Sequence, residues 1–190
     1  PETAQGIELG ADLGFAAGRG TLGVTLFRNE VEDLITGAGM TSVNLPGTST
    51  RRGLELSLGL DATDWLHLAL DYTYTDARSA SGERLARRPQ NEIGLRATAE
   101  TFGGRGSVTA DLRHVSGNYD ETWYQTEWPA LPATTKLPAF TSVNLAARYD
   151  LTDTAELSAR VVNLFDTDNS EAWGYYGQGR TAYVGIETQW

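Results

Sequence analysis

Leu66-His-Leu-Ala-Leu-Asp-Tyr-Thr-Tyr-Thr75 places leucine or tyrosine at every even position and His, Ala, Asp or Thr at every odd one. Successive side chains of a β-strand point to opposite faces, whereas a helix brings a residue back to the same face only after 3.6 positions. The stretch therefore predicts a strand with one apolar and one polar face.

The same period of two recurs on both sides of this stretch. Nine segments follow it, and no segment predicts a convincing helix. The predicted strands contain residues 7–15, 21–26, 53–60, 66–75, 93–100, 108–113, 143–149, 156–161 and 184–190. The sequence thus predicts an all-β chain with nine antiparallel strands.

Two architectures fit strands of this kind. In a soluble sandwich the apolar face is the core, and in a membrane β-barrel it meets lipid while the polar face lines the lumen. The polar positions hold many small and ionisable residues, as a crowded wet lumen would. Tyr72 and Tyr74 continue the apolar face at a strand end, where a membrane barrel carries an aromatic girdle. These details favour the barrel.

The connections between the predicted strands alternate in length. Short ones rich in Gly or Asp cover residues 17–20, 61–64, 103–106 and 150–153, and longer ones cover 36–42, 76–87, 118–137 and 165–179. Outer-membrane barrels have short periplasmic turns and longer outer loops. This pattern predicts that the last strand runs towards the periplasm, so that Trp190 lies there.

Composition narrows the function classes. The chain of 190 residues has no Cys, which excludes disulfides and thiolate metal sites, and its net charge of −10 argues against a nucleic-acid partner. No apolar run approaches the roughly 20 residues of a spanning helix. An exported protein is made with a signal peptide, and none is present, so we interpret Pro1 as a cut inside a longer precursor.

Several motifs together resemble TonB-dependent receptors of the bacterial outer membrane. The most specific is Asn163-Leu-Phe-Asp166, followed by Gly174-Tyr175 and Gly179-Arg180 before the last strand. Others are Pro1-Glu2, Arg52-Gly-Leu-Glu55, Arg88-Pro89 and the stretch from Leu137 to Leu145. Tyr183-Val-Gly-Ile-Glu-Thr-Gln-Trp190 resembles the C-terminal strand signal that the barrel assembly machinery reads.

The resemblance implies that residues 1–190 are the C-terminal part of a 22-stranded barrel whose N-terminal plug lies elsewhere. It implies uptake of a scarce nutrient through energy supplied by the TonB complex acting on that plug. The motif spacing is closest to cobalamin receptors and their siderophore relatives. A passive porin, a soluble carbohydrate-binding domain and an outer-membrane enzyme are the alternatives. The sequence indicates no cofactor, and it contains no hydrolase, zinc-protease or nucleotide-binding motif.

Aromatic residues in two long connections are the candidate ligand contacts. We expect stacking on a flat or cyclic nutrient; the alternative is an outer aromatic belt or packing between loops. The candidates are Trp123, Tyr124 and Trp128 in the longest connection, and Tyr175 and Tyr176 beside Trp173 in the last.

Other polar residues are predicted to be structural. His67 and Asp71 share a face but lie about 13 Å apart along a strand, too far to pair. His114 and Asp111 lie on opposite faces. Cross-strand ion pairs are expected for the lumenal charges Glu55, Glu100, Arg96, Arg113, Arg148 and Arg160. Asn163 and Asp166 are expected to satisfy local backbone groups, and Gly179 to adopt a dihedral closed to other residues.

Overall fold

The computed structural model describes residues 1–38, 41–122 and 133–190. The strands are β1 (Thr3–Phe15), β2 (Gly20–Glu32), β3 (Ile35–Ala38), β4 (Thr41–Asn44), β5 (Thr48–Asp61), β6 (Leu66–Arg78), β7 (Asn91–Thr101), β8 (Gly106–Ser116), β9 (Tyr119–Thr122), β10 (Ala133–Lys136), β11 (Phe140–Thr152), β12 (Ala155–Val162) and β13 (Thr181–Thr188). Two tight turns cover Ala16–Gly18 and Phe102–Gly104. Across the described ranges, no helix has the length and apolar character needed to cross a membrane.

Nine of these strands form one antiparallel sheet, in the order β1-β2-β5-β6-β7-β8-β11-β12-β13. The predicted nine strands and their antiparallel order are confirmed. Two predicted loops contain more structure than expected, because β3 pairs with β4 and β9 with β10 as short separate hairpins. β2 also continues to Glu32, although the apolar alternation stops at Leu26.

The register aligns the apolar positions across the sheet. One continuous row of directly opposed residues crosses seven strands through Leu13, Leu22, Leu58, Leu70, Leu95, Leu112 and Val143. The adjacent row, on the other face, contains Asp12, Gly23, Ser57, Asp71, Gly94, Arg113 and Ser142. A slip of one residue would exchange the two faces, so the hydrophobic pattern fixes the pairing.

The polar face is the concave one. It encloses an open hollow of about 540 Å³ whose lining includes Asp71, Glu92, Arg96, Asp111 and Arg113. The apolar face is convex and open to the surroundings: Ile7 and Leu9 are each 72% exposed. No second sheet covers it within the described ranges, which excludes the sandwich. An uncovered apolar outside around a polar hollow is what a barrel wall in lipid requires.

Two of the short turns share one backbone conformation. Residues 16–18 and 102–104 all have positive φ, and an arginine follows each turn. Arg19 donates from Nε and Nη2 to the Asp61 carbonyl oxygen at 2.9 and 2.6 Å, and Arg105 Nη2 donates to that of Asp150 at 2.7 Å. Each arginine therefore ties its own turn to the next short turn at the same end of the strands.

The aromatic residues predicted for the girdle have their hydroxyl groups satisfied. Tyr72 donates to Asn91 Oδ1 at 2.9 Å, and Tyr74 accepts from Gln90 Nε2 at 3.3 Å. Both lie on the convex face, at the end of β6 that leads into a long connection. A half-buried ring with a hydrogen-bonded hydroxyl suits the boundary between hydrocarbon and water.

Candidate functional site

Ion pairs cross the concave wall between neighbouring strands. Arg96 Nε lies 2.6 Å from Asp111 Oδ1, directly across the β7–β8 ladder. Arg113 Nη2 reaches Glu92 at 3.1 Å, and Arg148 Nη1 lies 4.0 Å from Glu156. The predicted cross-strand pairing is confirmed for these three arginines, and the pairs hold neighbouring strands of the wall together.

The remaining predicted lumenal charges behave differently. Arg160 lies over the ring of Tyr183, with its guanidinium carbon 4.2 Å from the ring centroid. Glu55 faces threonines on both neighbouring strands, Thr25 and Thr73. Cation–π contact thus replaces the predicted ion pair at Arg160.

The two histidines lie outside the candidate site. His67 is beside a short turn, and His114 is on the convex face. His67 makes no contact with Asp71, as predicted; its Nδ1 lies 2.7 Å from Asp61 Oδ1, and its Nε2 lies 4.0 Å from Glu100. His114 is hydrogen-bonded to Thr141 Oγ1 at 2.8 Å on the convex face, opposite in direction to Asp111. Among the described residues, no group of three or more His, Cys, Asp or Glu is arranged to hold a metal ion.

The residues that follow β12 organise the last long connection. Asn163 is 2% exposed; its Nδ2 donates to the carbonyl oxygens of Thr167 and Gln178 at 2.9 and 3.1 Å, and its Oδ1 accepts from the Thr167 N–H at 2.9 Å. Asp166 Oδ1 accepts from the Arg180 N–H at 2.7 Å. These contacts satisfy backbone groups where the chain leaves the sheet, which is the structural role predicted for both residues.

Gly179 was predicted to adopt a dihedral closed to other residues, and this prediction was wrong. Its φ is not positive, so the backbone conformation is open to other residues. A Cβ at this position would instead lie 3.2 Å from Asp166 Oδ1. Glycine here leaves room for the Asp166 carboxylate, which a larger residue would push back by a few tenths of an ångström; the sequence alone could not show this contact.

The last connection folds down onto the concave wall through a cluster that the sequence did not predict. We call Arg87, Arg113, Asn118, Asp120 and Glu171 the rim cluster. Arg113 holds the Glu171 carboxylate with both terminal nitrogens, at 2.6 and 3.0 Å. Asn118 Nδ2 donates to the Glu171 carbonyl oxygen at 2.9 Å. The loop is therefore attached both to a strand of the wall and to the neighbouring loop.

Asp120 is the buried centre of the cluster, with 1% of its surface exposed. One carboxylate oxygen accepts from Arg87 Nε at 2.9 Å and the other from the Trp173 N–H at 2.6 Å. The Glu121 N–H donates to the same oxygen as Arg87, Oδ1, at 2.9 Å. Three outer connections thus meet at one carboxylate.

Electrostatics keeps both acids of the rim cluster ionised. Burial alone would raise the pKa of Asp120, but the Trp173 N–H, the Arg87 guanidinium and the Glu121 N–H outweigh it and hold the pKa below its ordinary value. The hydrogen bond from Arg113 lowers the pKa of Glu171 against an opposing effect of burial. The cluster is therefore a set of charge-assisted hydrogen bonds at neutral pH.

The predicted aromatic contacts divide into two groups. Tyr175 and Tyr176 are 75% and 79% exposed and lie in the last long connection, whose base the rim cluster holds in place. Trp123, Tyr124 and Trp128 lie outside the described residues. Their connection nevertheless joins the other loop directly, since Asp120 binds the Trp173 backbone. The structure thus connects the two regions that the sequence singled out.

Comparison with solved structures identifies the fold of the sheet. The pyoverdine outer membrane receptor FpvA from Pseudomonas aeruginosa PAO1, solved bound to pyoverdine, aligns with a TM-score of 0.82 at 19% identity. The alignment covers 100% of this chain and 30% of that one. The sheet therefore has the fold of an open part of a β-barrel.

Sequence comparison gives the family. The family described as "TonB dependent receptor-like, beta-barrel" matches residues 1–164, and the chain belongs to it. The iron-regulated outer membrane virulence protein of Vibrio cholerae serotype O1 is 31% identical, over 98% of this chain and 31% of that protein. The vitamin B12 transporter BtuB of Photobacterium profundum is 28% identical, over 85% and 26% respectively.

These comparisons confirm the predicted family, the barrel fold and the outer-membrane location. The named relatives are outer-membrane proteins, receptors and transporters. The chain spans less than a third of the length of the curated relatives it matches.

Proposed function

We propose that residues 1–190 are the C-terminal barrel segment of a receptor that takes up a scarce nutrient, a ferric siderophore or cobalamin, with energy from TonB. The observation that carries the proposal is the rim cluster. It fixes a loop with two exposed tyrosines at the mouth of a polar hollow, between the outside and the wall. The match of residues 1–164 to the TonB-dependent receptor family favours such a receptor over a passive porin.

The relatives guide the choice of nutrient. One is named for iron regulation, one transports vitamin B12, and one binds pyoverdine in its structure. The iron-regulated relative aligns with 98% of the chain, against 85% for the B12 transporter. This favours a ferric siderophore as the first ligand to test and cobalamin as the second. The TonB complex acts, in this proposal, on a plug outside the segment, and the receptor performs transport rather than catalysis.

The proposed ligand contacts are Trp123, Tyr124, Trp128, Tyr175 and Tyr176. The exposed rings of Tyr175 and Tyr176, in a loop that the rim cluster holds in place, can stack on a planar ligand at little cost in ordering, and each stack adds about 0.5–1.5 kcal/mol beyond the buried area. The ionised rim cluster at the base of this loop offers further hydrogen-bond groups. Other outer loops of the receptor would complete the site.

Ligand titration of the purified full-length receptor tests the proposal. Tyr175 and Tyr176 are both changed to Ala, and binding of a panel of ferric siderophores and of cyanocobalamin is followed by tryptophan fluorescence. We expect the double variant to weaken the cognate ligand about 5- to 150-fold. Trp65→Ala is the matched control, since Trp65 is an aromatic residue 54% exposed beside a short turn at the opposite edge of the sheet. Unchanged affinity in the double variant would remove these tyrosines from the site.

A further inference from the structure

Four arginines gather on the convex face just beyond the apolar band. Arg28 is the next outward-facing residue after Leu26 on β2, and Arg52 is the one before Leu54 on β5. On β6 the outward positions after Tyr74 are Asp76 and Arg78. Because each step of two residues advances about 6.6 Å along a strand, these groups stand at the height where lipid head groups begin.

Carboxylates neutralise only part of this charge. Arg52, Arg78 and Arg84 all converge on Asp76, at 3.3, 3.0 and 3.8 Å. Arg28 pairs at 2.6 Å with Glu30, two residues further along its own strand. Four guanidinium groups thus share two carboxylates, and we call these arginines the outer arginine cluster.

Arg28 and Arg52 form the most unusual part of the cluster. They are directly opposite each other on neighbouring strands, where like charges destabilise a sheet. Their side chains remain 56% and 63% exposed, so much of each guanidinium group is free to bind something else. An anion placed between them would relieve the repulsion and complete their hydrogen bonds.

The position of the cluster selects the kind of anion. The two arginines border hydrocarbon on one side and water on the other, so an anion attached to a lipid fits both surroundings. Guanidinium groups bind phosphate oxygens through two parallel hydrogen bonds and are more weakly hydrated than ammonium groups, which suits a site at the membrane boundary. The cluster lies at the end of the strands that carries the long connections, which places it in the outer leaflet.

We propose that the outer arginine cluster binds the phosphate groups of an outer-leaflet lipid on the outside of the barrel. Arg28 and Arg52 contact the phosphate, while Arg78 and Arg84 keep Asp76 occupied so that it does not repel the ligand. Arg78 Nη1 also donates to the Gly82 carbonyl oxygen at 3.0 Å, which attaches the adjoining loop to the same cluster. The bound lipid would thereby order that loop.

The test uses the full-length receptor in nanodiscs, titrated with lipid A that carries both of its phosphates and with the same lipid after dephosphorylation. Bound lipid is counted by native mass spectrometry. We expect tighter binding of the phosphorylated lipid. We also expect Arg28→Gln and Arg52→Gln to weaken it about five-fold each and roughly 25-fold together, and the difference to shrink at high salt.

Arg51→Gln is the matched control. Arg51 is the chain neighbour of Arg52 but faces the concave side, where it lies 5.0 Å over the ring of Phe27. Lipid affinity should be unchanged in this variant. Equal affinity for the two lipids, or an equal loss in Arg51→Gln and Arg52→Gln, would overturn the proposal. The comparison of lipids on the unmodified receptor decides the question even if the double variant fails to fold.

Discussion

Replacing Asp120 by Asn should release the last outer connection while leaving the sheet intact. The carboxylate accepts three hydrogen bonds, from Arg87 Nε, the Trp173 N–H and the Glu121 N–H. An amide has one oxygen where the carboxylate has two, so at least one buried donor loses its partner. The Arg87 guanidinium loses its counter-charge as well.

The magnitude follows from the kind of bond lost. A hydrogen bond to a charged group contributes about 1.5–3 kcal/mol, and an orphaned buried donor costs about 1–3 kcal/mol. We therefore expect the local opening of the last connection to become easier by about 2–4 kcal/mol. The equilibrium population of the open loop would rise roughly 30- to 900-fold.

Native-state hydrogen exchange of the full-length receptor measures this opening directly. The Trp173 amide, bound to Asp120 at 2.6 Å, should lose its protection, while amides in β7 and β8 keep theirs. Glu121→Gln is the matched control, because it changes the neighbouring acid while leaving its backbone N–H in place. If the Trp173 amide exchanged equally slowly in both variants, Asp120 would not be the attachment point that we describe.

Three further predictions concern pH, the lipid face and assembly. The pKa values of Asp120 and Glu171 lie below their ordinary values of 3.8 and 4.5, so their contribution is complete above about pH 4.5 and lost as the pH falls through the lowered values. Protection of the last connection, corrected for the intrinsic pH dependence of amide exchange, should thus be constant from pH 7 to 5 and fall at more acidic pH; unchanged protection down to pH 2 would contradict this. Leu56→Arg should destabilise the folded barrel by about 2–4 kcal/mol near the bilayer midplane, and Ser57→Arg by much less, as measured by urea titration in liposomes. Equal losses at the two positions would reverse our assignment of the faces. Deleting Trp190 should reduce surface levels of the receptor in cells, and undiminished levels would argue against its role as an assembly signal.

The sheet could be predicted from the sequence because contact with lipid requires an apolar side chain at every second residue of a strand. Every second residue from Leu66 to Tyr74 must be apolar to face hydrocarbon, and this constraint is local in the chain. The part of β2 after Leu26 was not predicted, because it has no such apolar alternation. Beyond Leu26 the strand leaves the apolar band, so Arg28 and Glu30 carry no hydrophobic signal although their backbone pairing continues.

The contacts that shape the candidate site could not be predicted in this way. Asp120 and Trp173 are 53 positions apart in the chain, as are Asn118 and the carbonyl group of Glu171. His67 finds Asp61 only because a hairpin turn brings the two strands into register. Such pairs depend on register and loop path, for which a single sequence carries no periodic signal.

Uptake in living cells is the decisive test of nutrient transport driven by TonB. Cells that lack their own receptors express the full-length receptor, and accumulation of radiolabelled ferric siderophore and of labelled cobalamin is followed with TonB present and after its deletion. We predict that one of the two nutrients accumulates, that accumulation stops when TonB is removed, and that ligand binding at the cell surface persists. Accumulation that continues without TonB would show a passive pore and rule out energised uptake.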